Sequence, residues 1–343
     1  MIKHILKRRK MQFMSEAFEN KKIVVWLSFT AFMVFAMAVI GAITRLTESG
    51  LSMVEWNPII GAVPPLSEAE WSRVFDLYKE IPQYNQVNSW MELSDFKRIF
   101  FWEWLHRLWG RLIGLVYALP LLWFWIKGLI PTGYKPRLLF ILAMGAAQGL
   151  MGWYMVMSGL SERIDVSHYR LAAHLSLAVL IYALLLWTIF DLRNGRARWS
   201  MDNFCLKRHG LSALFFLSLT IIWGAFVAGT NGGLVYNTWP LMGGELVPVE
   251  VKSLASLHET PAAIQFVHRW IAILAGLFIL TFAWRVKAGA LAGMTFIQVG
   301  LGISTLLLGV PILLAAAHQA GALVLLGLLL FNLHAVFLKY TKA

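Results

Sequence analysis

The chain has 343 residues, of which 59% are apolar and only 14% are Asp, Glu, Lys or Arg, with a formal net charge of +12. Soluble globular chains carry about 45–50% apolar and about 25% charged residues. This balance excludes a soluble enzyme, a disordered chain and a nucleic-acid-binding protein, and leaves an all-α polytopic membrane protein.

From the N-terminus, residues 1–22 form a basic tail with Lys7, Arg8, Arg9 and Lys10 in succession. The apolar run Ile23–Thr44 exceeds the core of about 7–15 residues of a signal peptide, so it is a retained span. Glu16 and Glu19 speak against a transit peptide. Crossing a bilayer takes about 20 apolar residues. Eight stretches meet or approach this: 23–45, 100–126, 138–158, 170–190, 210–229, 263–284, 291–310 and 313–336. The segment 46–99 is rich in Trp, Pro and Glu. Within it an amphipathic stretch over 66–79 turns Leu66, Ala69, Val74 and Leu77 to one side; it fits either a helix resting on headgroups or a lid over a site. Pro311 parts the last two spans into a tight helical hairpin. The single cysteine, Cys205, permits no intramolecular disulfide and no cysteine-cluster metal site.

Short basic connections stay in the cytoplasm. Lys3, Lys7–Lys10, Lys21 and Lys22, then Lys127, Lys135 and Arg137, then Arg193, Arg196, Arg198, Lys207 and Arg208, then Arg285 and Lys287, and finally Lys339 and Lys342 all fall on one side. Glu48, Glu55, Glu68, Glu70, Asp76, Glu80, Glu92 and Asp95 fall on the other. Both termini are therefore expected in the cytoplasm.

The two halves of the chain match. Gly41, Gly50-Leu51 and Trp56 recur 183 residues later as Gly224, Gly233-Leu234 and Trp239. His106-Arg107 and Gly114 recur at 162 as His268-Arg269 and Gly276, Gln148 and Gly152 at 150 as Gln298 and Gly302, and Ala172-Ala173-His174 at 144 as Ala316-Ala317-His318. Four spans return a chain to its starting side, so the repeats are parallel. The expected architecture is two tandem four-helix bundles. The first spans 23–190 with the long outer loop 46–99, the linker 191–209 is cytoplasmic, and the second bundle spans 210–337.

Of nine histidines, only His106, His174, His268 and His318 take part in the repeat, each near the outer end of an even-numbered span. A lone histidine in a span fits an interhelical hydrogen bond, but a pair in each bundle suits a metal. No cysteine or carboxylate cluster accompanies the pairs, which disfavours zinc. Bis-imidazole ligation of haem iron fits better, with Gly110, Gly114, Gly276 and the alanines leaving room for a flat macrocycle or for close helix packing. Arg107 and Arg269 suit haem propionates or interfacial snorkelling. His168 and His258 fall in outer loops, His334 at the inner end of the last span, and His4 and His209 in cytoplasmic, solvated positions.

The halves differ at one place. Glu103 stands one turn before His106 on the same helix face, where the second half has Gln265 before His268. A carboxyl there is a candidate proton carrier, or an ion-pair partner of Arg107 or Arg111. The first bundle is thus expected to do chemistry and the second to hold a permanent redox cofactor.

The stretches TRLTESGLSMVEWNPIIGAVPP (44–65), FFWEWLHRLWGRLIG (100–114), YRLAAHLSLA (169–178), GLVYNTWPLM (233–242), FVHRWIAILAG (266–276) and AAAHQAGALVLL (315–326) resemble the haem A synthase family over nearly the whole chain from about residue 20. The resemblance implies an enzyme that oxidises a methyl group of haem O to a formyl group, giving haem A for cytochrome c oxidase. It implies that His268 and His318 ligate a resident haem b. His106 and His174 belong to the half where haem O binds, with Glu103 as that half's functional glutamate. Some members carry a cysteine pair in the first outer loop; this chain does not. Implied partners are haem O itself, haem O synthase, an electron donor and the lipid of a bacterial plasma membrane, with homo-oligomerisation left open and a mitochondrial inner membrane less favoured. The rivals are a two-haem electron-transfer cytochrome without chemistry on haem, and a metal-free parallel-repeat transporter.

Overall fold

The computed structural model describes the backbone of residues 2–338 apart from Pro58, Ile59, Glu162, Arg198, Ser200, Leu254 and Glu259, and the side chains from Asn20 onward apart from Ala255 and Ser256. The orientation residues Arg198, Lys339 and Lys342, and the side chains of His4, Lys3 and Lys7–Lys10, lie outside the described residues. The described chain is helical and contains no β-sheet. Its long helices are α1 (Ile2–Leu46), α3 (Leu93–Ile126), α4 (Lys135–Val156), α5 (His168–Asn194), α6 (Phe204–Gly229), α7 (Pro261–Val286), α8 (Gly289–Leu307) and α9 (Ile312–Leu338), with α2 (Glu68–Lys79) between the first two. All eight long helices, α1 from Asn20 onward, are long and apolar enough to cross a membrane, which makes this an integral membrane protein. Large apolar side chains such as Ile126, Leu150, Trp284 and Leu313 point outward, as helices facing lipid require.

Helix ends follow local chemistry. Pro261 opens α7 behind Thr260, whose hydroxyl accepts from the Ala263 N–H at 3.2 Å. Pro120 lies inside α3 and cannot donate to the Val116 carbonyl; the Trp26 indole N–H on α1 takes its place at 2.8 Å. The second span begins at Leu93 rather than near residue 100, and α6 begins at Phe204 rather than 210. His209 is therefore not a solvated loop residue. It is half-buried on α6, with Nε2 3.1 Å from the Phe278 carbonyl of α7.

Helices α1, α3, α4 and α5 pack into one ring, each touching two others, and α6, α7, α8 and α9 into a second. The rings meet where α5 touches α6 and α9, and where α1 touches α9. Side-chain hydrogen bonds cross between them. Gln319 on α9 donates to the Ala38 carbonyl of α1 at 2.6 Å. Arg45 donates to Asn231 at 3.1 Å. His334 on α9 bonds Asp191 on α5 at 2.9 Å, and the same buried carboxylate accepts from Arg137 on α4 and from the Ala197 amide.

Each ring has a lopsided interior. Trp26, Leu27, Tyr117, Leu121, Phe124, Leu138, Ile141, Leu185 and Ile189 fill the first toward the end bearing the short basic connections. Leu217, Ile279, Phe282, Leu291, Leu329 and Leu333 fill the second at the same end. Toward the opposite end, where the 47–92 segment lies, buried positions include the small residues Ala42, Ala172, Ala225, Ala263 and Ala316.

The 47–92 segment is a folded cap. Ser67 caps α2, accepting from the Glu70 N–H at 3.2 Å. The helix starts only at Glu68, so Leu66 lies before it and is exposed, as is Ala69. The apolar face is Trp71, Val74, Phe75 and Tyr78, which packs on Phe96, Ile99 and Phe100 at the start of α3, with Leu51 and Val166. Burial against protein thus corrects the amphipathic face expected from sequence. Tyr78 is fully buried; its hydroxyl donates to Gln83 at 3.0 Å and accepts from Asn88 at 2.8 Å.

Candidate functional site

All four repeated histidines sit at the cap end of their helices. His174, His268 and His318 lie about two turns into α5, α7 and α9, and His106 about four turns into the longer α3. Within each ring the two imidazoles are in electrostatic reach of each other: His106 with His174, His268 with His318. Each ring edge rests against a glycine of the preceding helix. A Cβ on Gly41 would lie 3.2 Å from His106, on Gly152 3.1 Å from His174, on Gly224 3.2 Å from His268 and on Gly302 2.8 Å from His318. These four glycines are the ones the repeat pairs, and close approach explains why no larger residue stands there.

The second imidazole of each ring has a glutamine partner. Gln148 Nε2 lies 3.2 Å from His174 Nδ1 and donates to the His174 carbonyl at 3.1 Å. Gln298 Nε2 lies 3.2 Å from His318 Nδ1 and donates to the His318 carbonyl at 2.9 Å. Sequence reading used both glutamines only as markers of the repeat, although their recurrence with the histidines was the available signal. Among the described residues no group of three or more His, Cys, Asp or Glu gathers to hold a bare metal ion. Paired imidazoles, small residues around them and cores set toward the other end fit a flat macrocycle with iron at its centre.

Arg107 and Arg269 are bound to the loops above them. Arg107 donates to the carbonyls of Met53 at 2.8 Å and Glu55 at 3.1 Å, and lies 5.1 Å from the Trp56 ring. Arg269 donates to the carbonyls of Tyr236 at 2.8 Å and Thr238 at 2.9 Å, and lies 6.0 Å from the Trp239 ring. Each guanidinium ties down the chain that follows the first helix of its ring. Sequence reading set propionate contact beside snorkelling and missed this use, because backbone carbonyls leave no mark on residue type.

Glu103 is 3% exposed. One carboxylate oxygen takes the Arg107 guanidinium at 2.5 Å, so the ion-pair partner is Arg107, while Arg111 bonds the Asn57 carbonyl. The other oxygen accepts from the Ser52 hydroxyl and the Met53 amide, both at 2.7 Å. Gln265, equally buried, accepts from Arg269 at 3.2 Å and donates to the Tyr236 carbonyl at 3.2 Å. The two halves thus share the arginine clamp and differ in the group beside it: a carboxylate in one, an amide in the other. His168, at the head of α5, lies against Tyr169 with ring centroids 4.1 Å apart and planes tilted by 39°, and packs against Gly229 of α6, where the two bundles meet. His258 is exposed.

Comparison with known proteins places these features in a family. The sequence profile described as cytochrome oxidase assembly protein, COX15-CtaA, matches residues 24–330. The chain is 52% identical over 329 residues to the heme A synthase of Rhodospirillum centenum, covering 92% of this chain and 88% of that one. It is 46% identical to the heme A synthase of Parvibaculum lavamentivorans, covering 91% and 93% of the two chains. It is 44% identical to that of Paramagnetospirillum magneticum, covering 92% and 94%.

Proposed function

The chain belongs to the cytochrome oxidase assembly protein family, and we propose that it is a membrane oxidoreductase that converts a methyl group of haem O to the formyl group of haem A. The bacterial relatives it resembles support a plasma-membrane location, and the segregation of basic connections to one end supports cytoplasmic termini. In this reading the cap and the four histidines face the outer side. The ring of α1, α3, α4 and α5 is the substrate bundle and the ring of α6–α9 the cofactor bundle, related as parallel repeats.

His268 and His318 would hold haem b, which when bound supplies one-electron redox chemistry. Gln298 anchors the His318 carbonyl and lies against Nδ1 of its ring, which fixes where that ring stands. In the substrate bundle His106 and His174 bind haem O. Arg107 and Arg269 seat the loop segments 53–56 and 236–239 over the two sites and offer their remaining donors to propionates. Haem O synthase as the supplier of substrate and a separate redox protein as electron partner complete the scheme.

The observation that carries the reading is the contrast between Glu103 and Gln265 in otherwise corresponding settings. Oxidising a methyl to a formyl group releases protons as well as electrons. A buried carboxylate with a charged partner and a hydroxyl partner can take and release a proton, whereas an amide cannot. The test is Glu103→Gln in purified protein supplied with haem O. Haem A formation stops while the visible spectrum of the resident haem stays unchanged; haem A formation at the normal rate would remove the role assigned to Glu103. His268→Ala or His318→Ala strips the low-spin haem signal.

A further inference from the structure

We propose that Ser52 is a proton-relay residue, and that the cavity above it is the route by which Glu103 exchanges protons with the water at the cap end. This rests on the proton-handling role assigned to Glu103.

Glu103 has three hydrogen-bonding partners among the described residues: the Arg107 guanidinium, the Met53 amide and the Ser52 hydroxyl. Arginine stays protonated in proteins and a backbone amide does not release its proton. A hydroxyl accepts one proton while giving up another. Ser52 is therefore the one of the three able to relay, and its Oγ stands 2.7 Å from Glu103 Oε2 with both residues buried. The buried Tyr78 is also an electrostatic neighbour of Glu103, but its hydroxyl is occupied by Gln83 and Asn88.

Ser52 and Met53 also line a cavity of about 420 Å³ between residues 54–57 and 60–67 on one side and α2 on the other. Glu55, Glu70 and Arg73 line it toward the surface. Arg73 donates to Glu55 at 2.9 Å and to Glu70 at 2.8 Å. These hydrogen bonds and the charge of Arg73 hold both carboxyls below the usual carboxylate range, so the mouth stays ionised and wet at neutral pH. In the transfer a proton leaves Glu103 Oε2 for Ser52 Oγ as the proton of Ser52 passes to a cavity water. Serine remains a neutral hydroxyl throughout, and rotation of that hydroxyl resets it.

The second half serves as an internal control. The repeat offset that pairs Gly50 with Gly233 and Trp56 with Trp239 places Val235 opposite Ser52. The half with an amide in place of the carboxylate therefore also lacks the hydroxyl. A merely structural serine would be useful beneath both clamps, whereas this one occurs only where there is a proton to move.

The experiment uses the full-length protein in lipid nanodiscs, in a Cys205→Ala background so that no native thiol competes. Ser52→Val lowers kcat about tenfold or more, leaves KM for haem O unchanged and enlarges the rate difference between H2O and D2O; Ser52→Thr restores kcat and the isotope effect. Separately, Val74→Cys on the cavity wall reacts with a water-soluble methanethiosulfonate in the absence of haem O, which reads water access without turnover, and the bulky adduct lowers kcat as Ser52→Val does. A Ser52→Val protein with full kcat and an unchanged isotope effect, beside an inactive Glu103→Gln, overturns the relay alone. An unreactive Val74→Cys overturns the cavity route. A fully active Glu103→Gln overturns the relay together with the role it rests on.

Discussion

Arg107 and Arg269 hold equivalent backbone carbonyls. Each bonds the carbonyl of the residue two beyond its half's Gly-Leu pair, Met53 or Tyr236, at 2.8 Å. The clamps differ in what each guanidinium bonds, the charged Glu103 carboxylate in one case and the neutral Gln265 amide in the other. Removing one partner of a buried ion pair costs about 3–5 kcal/mol because a bare charge is left behind, while orphaning a neutral polar group costs about 1–3 kcal/mol. Arg107→Leu should therefore lower the thermal midpoint well below that of Arg269→Leu. Adding Glu103→Gln to Arg107→Leu should recover much of the loss. Equal midpoints for the two single variants would show that the charge on Glu103 does not govern the clamp.

The glycine beside each imidazole makes a positional prediction. A methyl at Gly302 would stand 2.8 Å from His318, whereas one at Gly149 meets nothing within 4 Å. Gly302→Ala should reduce the haem retained through purification, read from the Soret band per protein, while Gly149→Ala retains the full amount. Identical retention would mean that His318 is free to move aside.

Much of this was legible in the residues. The spans follow from apolar runs, and the four histidines from their recurrence in the second half. The contrast of Glu103 with Gln265 follows from laying one half on the other. What stayed hidden depends on partners distant in sequence. The inward face of α2 is Trp71, Phe75 and Tyr78 because α3 extends beyond its apolar run to meet it, and nothing within 66–79 announces that neighbour. Ser52 reaches Glu103 across 51 residues. Asp191 reads as the polar end of a span, yet its carboxylate is buried among Arg137, His334 and the Ala197 amide.

That cluster yields a third prediction. Asp191→Ala leaves Arg137 without its counter-charge and His334 without its acceptor, and should cost about 3–5 kcal/mol. Asp191→Asn, which keeps a hydrogen-bond acceptor but removes the charge, should cost less. Thermal unfolding in detergent, followed by loss of helical circular dichroism, measures both, and a harmless Asp191→Ala would show the cluster to be dispensable.

The cap has its own dependence on pH. Burial pushes the Tyr78 hydroxyl up to about 12 from an ordinary value of 10.0. A group whose folded value is raised stabilises the fold fully below its unfolded value and loses that contribution as pH climbs toward the folded one. The cap should hold through neutral pH and loosen between about 10 and about 12. Amide hydrogen exchange in residues 68–92 should accelerate across that window beyond its chemical base catalysis. Tyr78→Phe should lose this excess, and its persistence would assign the loosening to another group.

Gln319, the immediate neighbour of His318, donates to the Ala38 carbonyl of α1. The two rings thus share a party wall, and one stud in it stands next door to an iron-binding candidate. A displacement of α1 at Ala38 would pull on the residue beside the far ring's imidazole. The two rings, though their histidine and glycine positions match in sequence, should not behave as interchangeable modules when severed and expressed apart.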